Sequence, residues 1–468
     1  MFHLNFFFLS FHFLHRSCTG NPPTTRGYEA AKQLYHDQIE NKSSQEELDT
    51  ILRDIFAKQR KRLSDALNLP QGSEIILCPS GSDAEYIPVA IVKTLFPNAI
   101  VKNGVTQLNE IGAGSAPAAV GEYFSTHAPF VGKLNGLKKL DGFDGIEGSV
   151  IPARTKDGDV VDASLKMKEF TDECIKNGQY PIAHGVFGGK TGVRDEQMPP
   201  SLDGGKTSLG VVDACQGRFS LEELHQWLDQ DSIVLFTTSK FYQAPPFCGA
   251  VIIPPSIAKQ LKQSSNAPEG MLGHTGLGAY LTDKELPDCM DCWKSSLLNG
   301  GKNNIGLALR WEAGLVAMEE LAGVSDEKRT AIVDEWAKVV TDMVQKESPQ
   351  LDAWCVERSI VSIRMSNNNG GWLNMKEAKE LFRWMSMDLT SVIPDASEDE
   401  KAALSTIAYT GQPVNVAESH AIVRIALGVE SMLSYIGDKD ATLEEDQKTV
   451  KKMAAISKYF AKLQESGI

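Results

Sequence analysis

From residue 43 the stretch SSQEELDTILRDIFAKQRKRLSDAL repeats apolar side chains at three- and four-residue spacing and places charges on the other face. This period predicts an amphipathic helix capped by serine. Short apolar runs then alternate with helical stretches. SEIILC (73–78) leads through Pro79-Ser80-Gly81 into a helical segment. The rhythm recurs in AIVKNGV (99–105), GSVIPAR (148–154) followed by DASLKMKEFTDECI (162–175), YPIAHGVF (180–187), SLGVVDA (208–214) followed by SLEELHQWL (220–228), and SIVLFTT (232–238). Strands that alternate with helices predict a mostly parallel sheet covered on both faces. Beyond about residue 300 the pattern turns to long helices (303–321, 327–346, 374–389) with the strands SIVSIRM (359–365) and AIVRIAL (421–427), which predicts a separate α+β domain.

The expected organisation is therefore a segment 1–16 outside the core, an N-terminal arm 17–45, a large α/β domain 46–300 and a small C-terminal α+β domain 301–468. Segment 1–16 is rich in Phe, and its first cation, Arg16, follows the apolar run. That order does not suit a secretory signal, and the segment reads either as a weak targeting peptide or as sequence the fold does not need. No apolar run is long enough to span a bilayer.

Composition narrows the chemistry. A 468-residue chain with 42% apolar residues supports a large core. Its formal charge of −14 argues against nucleic acid or an anionic membrane as partner, because both require clustered cations, and leaves small molecules. Eight scattered cysteines suit a reducing compartment, so a cytoplasmic location is the expectation. Only Cys289 and Cys292 form a C-x-x-C, and no second pair stands at metal spacing.

Ligands of open α/β sheets bind beyond the carboxyl ends of the strands. Three such ends carry chemistry. In PSGSDAEY, Gly81 allows a tight turn, and Ser82 to Glu85 fits a capping box with Ser82 as N-cap. The N–H groups of Gly81, Ser82 and Asp83, with the Ser82 hydroxyl, would seat a phosphate. In LGVVDACQGR, a strand ends at Asp213, a carboxylate able to hold a cationic heterocycle nitrogen, with Gln216 three residues on. In FTTSKFYQAPPFCG, Lys240 follows Thr237, Thr238 and Ser239 and precedes aromatics and paired prolines, where a dry wall would free its amine as a nucleophile. Alone, each has an ordinary explanation as cap or surface residue. In this order, the three supply a phosphate anchor, a pyridinium counter-ion and a Schiff-base amine, the needs of pyridoxal 5′-phosphate.

These motifs resemble the fold-type-I pyridoxal-phosphate enzymes, in particular their class V aminotransferase and cysteine desulfurase branch: PSGSDAE is similar to its phosphate loop, VVDACQ to its D-x-x-Q, and TTSK with APPFCG to its lysine segment. The resemblance implies a large domain with a mostly parallel, seven-stranded sheet between helices and a smaller C-terminal α+β domain. It implies Asp213 at the pyridine nitrogen, Gln216 at the ring hydroxyl, Lys240 in the Schiff base, and Thr237 and Ser239 with Ser82 at the phosphate. Arg424 in AIVRIALGV would hold the substrate α-carboxylate, a role for which a guanidinium is suited. It further implies a homodimer, with CTGNPPTTRGYEAA (18–31) and GMLGHTGLGAYL (270–281) as segments that could reach across.

Departures are equally informative. Where the family often has N-E-x-G, this chain has Gly189-Lys190-Thr191-Gly192, and His127 and His184 are the candidates to stack on the ring. A desulfurase needs a cysteine on a mobile loop, yet Cys355 runs into the strand at 359–365. Group II decarboxylases have His before the lysine, where this chain has Ser239, and the arginine that follows the lysine in class I aminotransferases is missing. An amino-acid transaminase or a lyase acting on a small amino acid is the favoured reading. Two others remain: a nucleotide-binding protein, since HGVFGGKTG approaches a P-loop but has His184 where the first glycine belongs, and a non-catalytic protein of the same fold.

Overall fold

We describe residues 13–15, 22–42, 44–106, 109–134, 136, 138–297, 302–355, 359–367 and 370–468 of a computed structural model. The chain divides into two compact units, Cys18–Thr330 and a second formed by Met1–Ser17 with Ala331–Ile468.

The first unit is built on seven strands: β1 (Glu74–Cys78), β2 (Val101–Thr106), β3 (Glu147–Ile151), β4 (Tyr180–Val186), β5 (Leu209–Asp213), β6 (Ile233–Thr237) and β7 (Gly249–Ile253). Their order in the sheet is β1-β7-β6-β5-β4-β2-β3. Strands β2 to β6 run parallel, and β7 lies antiparallel between β1 and β6. The central strands β4 to β7 are buried at every position, which is why they read as continuous apolar runs rather than alternating ones. The reversed strand follows from its connection. Residues 238–248 contain no helix and are too few for a parallel crossover, so β7 returns beside β6 in the opposite direction. Gly249 thereby pairs with both Cys78 and Thr237, and three strand termini meet at one edge.

Helices cover both faces. The predicted N-terminal helix forms at Gln45–Ala66 with Ser44 accepting the Glu47 N–H at 3.1 Å, and Leu221–Asp229 begins with a capping box of Ser220 and Glu223. The long helix Ile305–Ala322 also belongs to this unit, so the division falls at 330 rather than near 300. It packs on Gln45–Ala66 through Gln59 Nε2, which donates to Ala308 O at 2.7 Å, and through Arg62, 2.8 Å from Glu312. The expected arm is instead helical at Thr25–Leu34 and seated against the same helix: a Cβ on Gly27 would lie 2.8 Å from Ala313 O. Residues 18–21 of that segment lie outside the described residues. In 270–281, Met271, Leu272, Leu277 and Tyr280 are core residues.

The second unit has a sheet of β8 (Leu351–Trp354), β9 (Ile360–Met365), β10 (Ala408–Asn415) and β11 (Ala421–Ala426), ordered β10-β11-β9-β8, with Phe13–His15 parallel on the edge of β10. Part of segment 1–16 thus joins a sheet; residues 1–12 and 16 lie outside the described residues. The sequence pattern had hidden β10, whose register shifts between Gly411 and Val414, around a proline with no N–H to give the ladder. Among the described residues, no helix is long and apolar enough to cross a membrane.

Candidate active site

Strand β1 delivers Pro79-Ser80 into one helical turn, Gly81–Ala84, which continues past Glu85 into the helix Tyr86–Leu95. The cap is Ser80 and not the expected Ser82. Ser80 Oγ accepts the Asp83 N–H at 3.1 Å and donates to the Asp83 carboxylate at 2.7 Å. Two consequences follow. The Ser82 hydroxyl is not used as a cap and lines a cavity at the strand ends, whereas Asp83 is buried away from that cavity. Desolvation raises the Asp83 carboxyl to about 7 against the opposing Ser80 hydrogen bonds. Glu85, expected to reach back to the cap, is buried as well.

Only glycine fits at position 81, because a Cβ there would lie 2.7 Å from Cys215 Sγ and 2.9 Å from Thr237 Cγ2. The loops after β1, β5 and β6 are therefore in direct contact. Between them and the loop after β4 lies a cavity of about 160 Å³. Gly81, Ser82, Asp213, Gln216, Thr237, Ser239 and Lys240 all line it; of the expected large-domain site residues only Asp83 does not.

Each side chain is positioned locally. Asp213 ends β5 with Oδ1 accepting the Cys215 N–H at 3.0 Å. Thr237 Oγ1 donates to Cys215 O at 2.7 Å, and Ser239 Oγ donates to Thr237 Oγ1 at 3.3 Å. Gln216 Oε1 is enclosed and has no hydrogen-bond partner among the described residues. A buried amide oxygen left unmatched costs about 1–3 kcal/mol, which suits a polar group brought by a ligand. Lys240 is half-buried, so the dry wall expected around it is only partial. Phe241, Tyr242 and Ala244 are buried behind it, while Phe247 lines the cavity and is 61% exposed. Gln243 at φ 51° and Phe247 at φ 70° hold the left-handed conformation, strain that side chains other than glycine bear at few positions.

Several lining residues carried no sequence signal: Glu110, Ile111, Gly112, Ser115 and Phe124 reach the cavity from the segment after β2. Lys190, noted in the sequence only within the near P-loop, reaches it from the loop after β4. That loop is locked. Arg154 Nε donates to Glu110 Oε1 at 2.7 Å, with the two side chains 3% and 0% exposed. Arg154 Nη2 also donates to Thr191 Oγ1 at 2.6 Å, and the Thr191 N–H and hydroxyl donate to Glu110 at 3.1 and 2.9 Å. The Lys190 N–H donates to Glu110 O at 2.7 Å. Amides so occupied, with no helix after Thr191, do not form a P-loop, and the nucleotide-binding reading fails on this geometry.

Neither candidate stacking histidine lines the cavity. His127 is exposed on the two-stranded ribbon His127–Ala128 and Gly132–Lys133, and His184 is sealed inside β4. The aromatics that do line it are Phe124 and Phe247. In the second unit, Arg424 is fully buried in β11, and its Nη2 donates to Gln412 O at 2.8 Å. Cys355 is half-buried at the end of β8; residues 356–358 lie outside the described residues. Burial pushes the Cys289 thiol up to about 12, and among the described residues no three His, Cys, Asp or Glu side chains are grouped to hold a metal.

No family model and no curated protein matches the chain. Solved structures do. The chain is similar to the glutamate decarboxylase domain of a diaminobutyrate-pyruvate transaminase and L-2,4-diaminobutyrate decarboxylase from Vibrio parahaemolyticus (13% identity, 93% of this chain and 81% of that one, TM-score 0.52). It is similar to a phosphoserine aminotransferase from Cytophaga hutchinsonii (12% identity, 93% and 98%, TM-score 0.51) and to the apo structure of a cysteine desulfurase from Thermococcus onnurineus (15% identity, 96% and 94%, TM-score 0.51). The seven-stranded sheet with one reversed strand, together with a smaller C-terminal sheet unit, gives this chain the fold of the type-I pyridoxal-phosphate enzymes.

Proposed function

We propose that this chain is a pyridoxal-phosphate-dependent enzyme that transaminates a small amino acid; elimination, which begins with the same α-proton removal and expels a group from the side chain, is the related alternative. The observation that carries the reading is that loops after three separate strands bring Ser82, Asp213, Gln216, Ser239 and Lys240 to a single cavity. The residues fit the cofactor: hydroxyls and N–H groups at Gly81, Ser82, Thr237 and Ser239 for its phosphate, Asp213 for its ring nitrogen, the unmatched Gln216 amide for its ring hydroxyl, and Lys240 for covalent attachment.

When bound, the cofactor supplies an electron sink for the substrate Cα. The protein does the rest. Asp213, anchored by the Cys215 N–H, keeps a proton on the ring nitrogen. Lys240 would move the α-proton as general base, a role worth about 10²–10⁴-fold in rate. Arg424 is proposed for the substrate α-carboxylate, and a homodimer for the assembly, the latter checked by sedimentation velocity.

The test is the visible absorbance of the purified protein with added cofactor, before and after borohydride, with Lys240→Ala alongside. An absorbance band that borohydride abolishes, leaving pyridoxyl mass on the peptide containing Lys240, is expected for the wild type alone. No band in the wild type overturns the reading. A screen of amino acids for oxo-acid release, with and without an added acceptor oxo acid, then separates transamination from elimination.

A further inference from the structure

The loop after Lys240 is held from both ends. Arg310 Nε, from the helix Ile305–Ala322, donates to Phe247 O at 2.7 Å, and Thr238 Oγ1 lies 2.9 Å from Cys248 Sγ. The same helix closes on Thr238 through Gly314, where a Cβ would lie 2.4 Å from the Thr238 hydroxyl. Between these ties stand Pro245 and Pro246, whose rings stiffen the backbone. Phe241, Tyr242, Ala244 and Cys248 pack into the core, but the Phe247 ring does not.

That ring is unfavourably placed for the chain alone. It is 61% exposed, so most of the burial that a phenyl side chain offers is forgone, and its backbone at φ 70° is one that glycine takes freely and phenylalanine does not. Both features fit a ring that the loop presents to a bound molecule, since Phe247 borders the cavity together with Ser80, Gly81 and Ser82. Strand register sets which end it borders. Two residues on, Gly249 pairs with Cys78, and a Cβ there would lie 2.8 Å from Gly81 N. Phe247 therefore enters where β7 meets the loop after β1, the end with the Gly81 and Ser82 N–H groups, and not from β4 or β5.

We propose that the Phe247 ring closes the phosphate end of the cavity against water when the cofactor is bound, a retention role that rests on the cofactor reading above. Hydrogen bonds to a charged phosphate strengthen as water leaves, and an aromatic wall removes water without competing for the donors. The test titrates the full chain, stripped of cofactor, with pyridoxal 5′-phosphate and with pyridoxal, for wild type, Phe247→Gly and Phe247→Leu. Thermal midpoints and sedimentation velocity without cofactor accompany it.

Phe247→Gly should bind pyridoxal phosphate about 10-fold more weakly, the scale of one charged hydrogen bond, and bind pyridoxal as the wild type does. Its melting midpoint should stay near that of the wild type, because relief of the left-handed strain offsets the added chain entropy of glycine. Phe247→Leu, which keeps an apolar wall, should retain most of the affinity. An equal loss for both ligands would set the ring against the pyridine and overturns the inference, as does unchanged affinity for pyridoxal phosphate; either result leaves the cofactor reading standing. A lower midpoint with slower sedimentation in Phe247→Gly would make the ring a contact between copies of the chain, which also overturns it. A wild type that takes up neither ligand overturns both.

Discussion

Glu85 Oε2 lies 3.3 Å from His184 Nδ1, and both side chains are 2% exposed. The distance is that of an ion pair, but the surroundings are not. Desolvation, reinforced by the charge of Asp213, raises the Glu85 carboxyl well above its ordinary value despite a Ser115 hydrogen bond, and desolvation lowers His184 to about 3. Burial therefore favours the neutral acid and the neutral imidazole over the ion pair. A raised acid gives stability at low pH that is lost as pH rises, and a depressed base gives stability at high pH that is lost as pH falls. Between the ordinary values of 4.5 and 6.5 the unfolded pair holds one proton on histidine and the folded pair one on glutamate, so the two effects cancel. As pH rises past 6.5, a folded Glu85 that keeps its proton while the unfolded chain has lost both takes the contribution of the pair to stability down. Urea titrations from pH 6.5 to 8.5 should show a smaller decline for Glu85→Gln than for wild type; an unchanged slope would mean that Glu85 is ionised.

Gly249 stands where β7 passes the loop after β1. A Cβ there would lie 2.4 Å from the carbonyl carbon and oxygen of Ser80. Backbone has to move, so Gly249→Ala should cost about 1–3 kcal/mol and weaken cofactor retention as well. Gly437→Ala, with nothing within 4 Å of its new Cβ, is the control and should be neutral or stabilising by up to about 1 kcal/mol. Denaturant titration and cofactor dialysis give the two readouts.

Arg154 and Glu110 are enclosed together, and removal of one leaves the other charge buried. Arg154→Met should lose about 3–5 kcal/mol, whereas Arg154→Met with Glu110→Met should lose considerably less. A double-mutant cycle measures the coupling; additive losses would show that the pair does not act as a unit.

Asp213→Ala should hold the cofactor poorly and lose nearly all turnover, because nothing else in the cavity is assigned to keep the ring nitrogen protonated. Equilibrium dialysis and steady-state rates test this, and substantial activity in the variant would refute the role.

Asp213, Gln216, Thr237, Ser239 and Lys240 were legible along the chain, because each sits at the end of an apolar run and the order of strand and loop is a local pattern. The cap at Ser80 was misread by two residues, since either serine has an acidic residue three positions on and only the backbone decides which hydroxyl faces the N–H. The contact of Glu110 with Arg154 and Thr191 was not legible at all. These residues belong to three distant segments, and a pairing made across a sheet leaves no periodicity in any of them.

The sequence by itself determined the alternation of buried strands and amphipathic helices, and with it the edge at which chemistry collects, because hydrophobic period and turn residues are properties of neighbours in the chain. Tertiary structure alone decided the reversed β7, the contact of Gly81 with Cys215, the inward Ser82, and the Glu110–Arg154 lock that presents Lys190. These depend on distances between residues far apart in sequence, and those distances are set only when the whole sheet has packed.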